Sequence, residues 1–165
     1  MTEADQTAYP RRRARDLFRK AYRAQLDGNL DDAIRLYSES IRSHPTAEAF
    51  TFLGWTHSFR KDFKTAIRYC LRAIDIDVHL GTPYNDIGAY LIEQNRWKEA
   101  EPWLRAATRA RRYNSYHLPY FNLGRLSERR FDWDEAEQHY LTATRLAPNF
   151  KPAVRALGLL RARSN

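Results

Sequence analysis

Histidine and carboxylate side chains are the residues of this sequence that could bind a metal ion or transfer protons. No two histidines stand three or four residues apart, the spacing that places two metal ligands on one helix face. The five histidines are His44, His57, His79, His117 and His139. Glu135 and His139 are four residues apart, which is the spacing of an ordinary pair on a helix surface. The sequence therefore predicts no metal site.

The single cysteine and the six glycines form no recognisable catalytic or phosphate-binding motif. One cysteine cannot form an intrachain disulfide, which fits a reducing compartment. Cys70 stands at an apolar position of a predicted helix, where a small buried side chain is its ordinary role. The six glycines include no Gly-x-Gly cluster and no phosphate-binding loop. We therefore expect a protein that is not an enzyme and uses no cofactor.

A period of about 34 residues runs through the chain. A Leu-Gly or Ile-Gly pair recurs at steps of 34, 36 and 34 residues, with its glycine at Gly54, Gly88, Gly124 and Gly158. An alanine recurs at steps of 33, 34 and 36 residues, as Ala33, Ala66, Ala100 and Ala136. Two series that keep one period indicate stacked structural repeats.

Each repeat contains two amphipathic stretches. In the second repeat, apolar residues recur three or four residues apart on both sides of Arg60-Lys61-Asp62, which is the spacing of helices. Similar polar breaks occur at Asp27-Gly28-Asn29, Glu93-Gln94-Asn95 and Glu128-Arg129-Arg130. Loops this short make the paired helices antiparallel neighbours.

From about Ala14 onward the chain resembles the tetratricopeptide repeat family. That family's pattern has a large residue at position 4, Leu-Gly at 7 and 8, and alanine at 20 and 27. Position 4 is occupied here by Leu17, Phe50, Tyr84 and Tyr120. The resemblance implies an all-α fold, a right-handed α-solenoid of four helix-turn-helix hairpins plus a C-terminal capping helix. Small residues let the paired helices approach, and large ones fill the space between them.

The repeat pattern also predicts boundaries. We expect a flexible basic segment over 1–13, repeat units over 14–46, 47–80, 81–116 and 117–150, and a capping helix over 151–163. The third unit carries two extra residues in the stretch Tyr113–Tyr116. That stretch is either a longer turn or a specific tyrosine contact.

The positive net charge leaves an anionic partner as an alternative. The formal net charge is +8, and the densest basic run lies at Arg11, Arg12, Arg13 and Arg15. Residues 1–10 lack the apolar stretch of a secretory signal. No apolar run approaches the roughly 18 residues of a membrane span. We therefore expect a cytoplasmic protein without a membrane span.

By resemblance, the first helix of each hairpin lines a concave groove. The predicted partner-binding residues are Phe18, Tyr22, Phe52, Trp55, Phe59, Asn85, Asp86, Asn122, Arg125, Arg129 and Arg155. Trp55 lies off the core stripe of its helix, whereas Phe52 and Phe59 could instead pack between hairpins. Trp97 and Trp133, at helix-turn corners, are interpreted as structural. The Lys, Arg and Asn clamp with which some family members hold a carboxylate is absent.

These features favour a protein-binding scaffold or adaptor that holds a partner segment, possibly acidic, in the groove. The alternative is a binder of nucleic acid or another polyanionic surface through the net positive charge. A third reading is an oligomer formed through exposed helix faces. Affinity that falls steeply with salt would distinguish the second class from the first.

Overall fold

The computed structural model describes residues 3–163, and the side chains of residues 8–163. These residues form nine helices that pack as four consecutive pairs, with the ninth helix on the eighth. The helices are α1 (Glu3–Leu26), α2 (Leu30–Ser43), α3 (Ala47–Phe59), α4 (Phe63–Ile76), α5 (Thr82–Glu93), α6 (Trp97–Ala107), α7 (His117–Arg129), α8 (Trp133–Leu146) and α9 (Lys151–Arg163). The predicted all-α fold of four hairpins and a capping helix is confirmed.

Within the four hairpins, the repeat markers lie where paired helices touch. Ala33, Ala66, Ala100 and Ala136 have no exposed surface. A Cβ added to Gly88 would lie 2.5 Å from Cγ of Leu104, so this position has room only for hydrogen. Tyr37 and Tyr140 are also fully buried and fill the space beside the small residues.

Each hairpin turn needs one residue in the left-handed backbone region. The φ angles at the equivalent positions are +78° at Gly28, +59° at Lys61, +59° at Asn95 and +61° at Phe131. Glycine adopts this conformation freely and asparagine tolerates it, but a bulky side chain is disfavoured there. The turn before α8 therefore carries the residue that suits it least.

The first helix is longer than the sequence predicts. Helix α1 begins at Glu3, so residues 3–13, predicted to be flexible, are helical; residues 1 and 2 lie outside the described residues. Two side chains of α2 bond to the backbone of α1 in and beside this stretch: Ser43 Oγ donates to the carbonyl oxygen of Pro10 (3.0 Å) and Ser40 Oγ to that of Ala14 (2.7 Å). Apolar periodicity carries no sign of such bonds.

The described residues form two compact units that divide after Val78. Helices α1–α4 form the first unit, with a core cluster of Ala21, Ala33, Tyr37 and Leu53. Helices α5–α9 form the second unit, in which Leu160 of α9 packs on Ala136 and Tyr140 of α8. None of the described helices is long and apolar enough to cross a membrane.

The long turn between α6 and α7 is fastened to the start of α5. The amide of Gly81 donates to the carbonyl oxygen of Arg112, and the amide of Arg112 donates to that of His79, both at 2.9 Å. The Tyr113 ring lies over Gly81, where an added Cβ would be 2.6 Å from Cβ of Tyr113. Tyr113 is buried and its ring centroid lies 5.3 Å from that of Tyr116. The two tyrosines therefore contact their own unit.

Candidate functional site

Aromatic side chains on α1 and α3 form a continuous ladder on the first unit. Consecutive ring centroids are 5.7 Å apart for Tyr22 and Phe52, 5.6 Å for Phe52 and Trp55, and 5.5 Å for Trp55 and Phe59. Phe18 joins the ladder from below, 5.2 Å from Phe52. The pairs made by Phe52 are edge-to-face and the Trp55–Phe59 pair is tilted, and aromatic pairs at such distances attract each other. The structure thus brings together all five aromatic residues that the sequence predicts at the groove.

The members of this aromatic ladder differ in exposure. Tyr22, Trp55 and Phe59 are exposed, with 40%, 41% and 52% of their surface accessible. Phe18 and Phe52 are half-buried and pack on the core cluster of the first unit. A partner would therefore contact the three outer rings, while the two inner rings support them.

A buried polar network lies beneath the ladder and sets the position of α1. The Tyr37 hydroxyl donates to Gln25 Oε1 at 2.9 Å. Thr56 Oγ1 lies 3.1 Å from the same Gln25 oxygen and 2.8 Å from the carbonyl oxygen of Phe52, and can donate to either. Gln25 is itself buried, so one amide oxygen links α1 to α2 and α3. Such a network fixes the register of helices whose apolar contacts alone would tolerate sliding.

The polar residues predicted on α5 and α7 are brought together in the second unit. Asn122 Nδ2 donates to Asn85 Oδ1 (3.2 Å), and Arg125 Nη1 donates to Asn122 Oδ1 (3.3 Å). Arg125 Nη2 also lies 3.5 Å from Glu93 Oε1. Both asparagines are buried. Asn122 therefore holds Arg125 in place, and Asn85 in turn holds Asn122.

Asp86 lies beside this pair, where burial disfavours the charged form of its carboxyl group. Burial raises the pKa of Asp86 to about 7, and a hydrogen bond from Asn85 Nδ2 to Asp86 Oδ1 (3.4 Å) opposes this shift. Burial, and then the charge of Asp86, raise the pKa of Tyr113. A carboxylate held at such a cost is typical of functional sites, although structural networks also contain them.

Arg125 and Arg129 line a cleft that the sequence does not predict. We call this cleft of about 350 Å³ the corner cleft; it is lined by Trp97, Arg125, Glu128, Arg129, Phe131, Trp133 and Arg163. Guanidinium carbons lie 5.9 Å from the Trp97 ring centroid for Arg125 and 6.0 Å from that of Trp133 for Arg163. These distances fit cation–π contacts.

The corner cleft changes how several residues are understood. Trp97 and Trp133, interpreted as structural, line a surface-open cleft, and Trp133 is 40% exposed. Arg155 is exposed on α9, but Arg163, two helical turns later, is the residue of α9 that reaches the cleft. A phenylalanine where the other turns carry glycine, lysine and asparagine was the sequence signal that could have revealed it.

Comparison with known proteins gives the family of these hairpins. Models of the tetratricopeptide repeat match residues 18–77, 84–112 and 117–150. These matches lie on all four hairpins. No curated protein sequence matches the chain.

Solved structures with this fold include proteins of different kinds. PilF from Pseudomonas aeruginosa is similar over 93% of this chain and 70% of its own, with 22% identity and a TM-score of 0.85. PilW, a type IV pilus biogenesis factor, is similar over 90% of this chain and 69% of its own, with 18% identity and a TM-score of 0.81. YrrB, described as having an unusual peptide-binding site, is similar over 87% and 73%, with 17% identity and a TM-score of 0.68. At these identities the likeness is one of fold.

Proposed function

Since this chain belongs to the tetratricopeptide repeat family, we propose that it is a protein-binding scaffold that holds a segment of a partner protein against the first helices of its hairpins. The family generally mediates protein–protein interactions and is typically non-enzymatic. The observation that carries the proposal is the aromatic ladder on α1 and α3. Its three outer rings are exposed and lie near one another, and a contiguous exposed apolar surface is typical of an interaction site.

The ladder suits an extended or helical partner segment with apolar anchors. Tyrosine and tryptophan supply large contact areas at a small cost in conformational entropy, and such residues dominate binding energy at interfaces. The ladder is already ordered by ring contacts and by the Gln25 network, so binding would require little rearrangement. Trp55, between Phe52 and Phe59, is the residue whose loss should matter most.

The test compares Trp55→Ala with Leu71→Ala. Leu71 lies on α4, the second helix of the same hairpin, and is 40% exposed against 41% for Trp55. Partners would be captured from the cells that express the protein, and binding isotherms would then be measured with the captured partner. Truncating an aromatic anchor should weaken binding about 30-fold, corresponding to about 2 kcal/mol. Leu71→Ala should leave affinity within about twofold of the wild type.

Thermal unfolding of the same samples separates binding from folding. We expect Trp55→Ala to lower Tm by only a few degrees, because much of the side chain is already in contact with water. Loss of the folded state would assign Trp55 to the core and contradict the proposal. Equal affinity for the two variants would place the partner on a different surface.

A polyanion binder is the second candidate, and the exposed basic residues of α1 support it. Seven basic side chains of this helix are exposed: Arg11, Arg12, Arg13, Arg15, Arg19, Lys20 and Arg23. A polynucleotide that binds these residues should lose affinity steeply as salt rises, and Trp55→Ala should not affect it. A short labelled oligonucleotide titrated at two salt concentrations makes the comparison.

A further inference from the structure

The corner cleft lies wholly in the second unit and has no part in the aromatic ladder. Its lining combines three aromatic rings with three guanidinium groups and a single carboxylate, that of Glu128. Its volume of about 350 Å³ is at the lower end of ligand-binding clefts and suits one large side chain with its flanking backbone.

Phe131 is unfavourable for folding in two respects. It is 72% exposed, the highest value among the exposed large apolar side chains of the described residues. Its φ of +61° lies in the left-handed region, which bulky residues avoid. The equivalent turn positions carry Gly28, Lys61 and Asn95, none of which is aromatic. A side chain that costs stability twice suggests that it contacts something outside this chain.

The cations of the cleft are arranged to receive carboxylates. Arg125 is held by Asn122 and Glu93, whereas neither Arg129 nor Arg163 forms an ion pair within the described residues. The Arg163 guanidinium lies over the Trp133 ring, which limits its freedom. The planar guanidinium groups of Arg129 and Arg163 can each bind a carboxylate in a bidentate manner, and the Arg163 guanidinium is already restrained by its ring contact.

We propose that the corner cleft binds an acidic peptide segment of a partner protein. One aromatic or large aliphatic side chain of the peptide contacts Phe131 and Trp133, and flanking carboxylates bind Arg129 and Arg163. Glu128, in the cleft wall, and Glu93, which pairs with Arg125, repel anions, and a polynucleotide carries one at every phosphate whereas a peptide carries them only at its acidic residues. A peptide backbone has N–H groups that can face those carboxylates.

The decisive variant is Phe131→Gly, with Lys61→Gly as its matched control. Both substitutions place glycine at a left-handed turn position, but Lys61 lies in the first unit and outside the cleft. Each should leave Tm unchanged or raise it by a few degrees, because glycine adopts this conformation without strain. Phe131→Asn introduces the residue found at the equivalent turn position, Asn95, and replaces the glycine variant if that variant folds poorly.

The probe is a display library of short random peptides selected on the full wild-type chain. Enriched peptides would be synthesised with a fluorescent label and titrated by anisotropy against the wild type and each variant. We expect a class of acidic peptides with an apolar anchor whose affinity falls about tenfold or more with Phe131→Gly and not with Lys61→Gly. Arg129→Ala with Arg163→Ala should weaken the same peptides, and less so at high salt.

A peptide whose affinity depends on Trp55 and not on Phe131 binds the aromatic ladder. The two proposals can therefore fail separately. The corner-cleft proposal is overturned if selection yields no peptide that depends on Phe131, or if the dependent peptides are not acidic. It is also overturned if a labelled single-stranded oligonucleotide binds in a Phe131-dependent way more tightly than every peptide, since the cleft is then a nucleic-acid site.

Discussion

Gly124 and Gly158 occupy the same position of the repeat pattern, yet alanine should change stability in opposite directions at the two sites. An alanine Cβ at position 124 would lie 2.6 Å from Cδ1 of Tyr140. Ordinary carbon contacts are about 3.5–4.0 Å, so the ring or the helix must move by about 1 Å. At Gly158 no described atom lies within 4 Å of the added Cβ.

The size of each effect follows from two opposing contributions. Alanine favours a helix interior over glycine by about 1 kcal/mol, and this contribution is common to both sites. Overpacking at position 124 costs about 1–3 kcal/mol. The upper part of that range applies, because Tyr140 is fully buried and its hydroxyl donates to Glu128 Oε2 at 2.5 Å. Gly124→Ala should therefore destabilise by about 1–2 kcal/mol, and Gly158→Ala should stabilise by up to about 1 kcal/mol.

Thermal and urea unfolding of the two variants and the wild type measure this difference. One kcal/mol corresponds to about 2–4 °C in a chain of this size, so the two melting temperatures should differ by about 5 °C or more. Far-ultraviolet circular dichroism at low temperature checks that both variants retain the helices. Shifts of the same sign and similar size would refute the claim that close packing of α7 on α8 requires glycine at position 124.

Two further predictions concern buried polar groups. The folded-state pKa of Asp86, about 7, exceeds its ordinary value of 3.8, so this residue's contribution to stability is full below pH 3.8 and is lost as pH rises towards 7. Asp86→Asn should remove that loss and stabilise the protein by up to about 4 kcal/mol at pH 8. Equal gains in Tm at pH 5 and pH 8 would contradict this pH dependence. Gln25→Ala leaves the Tyr37 hydroxyl without its acceptor and should cost about 2–3 kcal/mol in urea unfolding, and an unchanged midpoint would show that the network adds nothing to stability.

The scaffold could be predicted from the sequence because the markers within its hairpins are imposed by contact geometry. Ala33 and Gly88 lie where paired helices approach, and such positions admit only small residues. The helices follow from apolar residues three and four apart. The extension of α1 before Ala14 could not be predicted in this way, because apolar periodicity does not reveal a bond such as that from Ser43 to the backbone carbonyl of Pro10.

The candidate surfaces could be predicted only in part. The departure of Trp55 from the core stripe of its helix predicts an exposed ring, and the ring is exposed. The repeat positions of Asn85 and Asn122 predict that both residues face the groove, but they do not show that the two amides pair with each other. The corner cleft combines residues from α6, α7, a turn, α8 and α9. Only the packing of those elements places Trp97 and Arg163 on one cleft.

The two hydrogen bonds between residues 79–81 and Arg112 should keep the third hairpin together after its backbone is cut. The two hydrogen bonds join the place where the chain enters α5 to the place where it has left α6, so the backbone between them is nearly a closed ring. A protease that cuts the turn after Glu93 would open this ring at the far end. Helix α5 and helix α6 would remain joined through their packing and through the hydrogen bonds at positions 81 and 112. A chain nicked at that turn should therefore migrate as one particle in solution and separate into two pieces only when denatured.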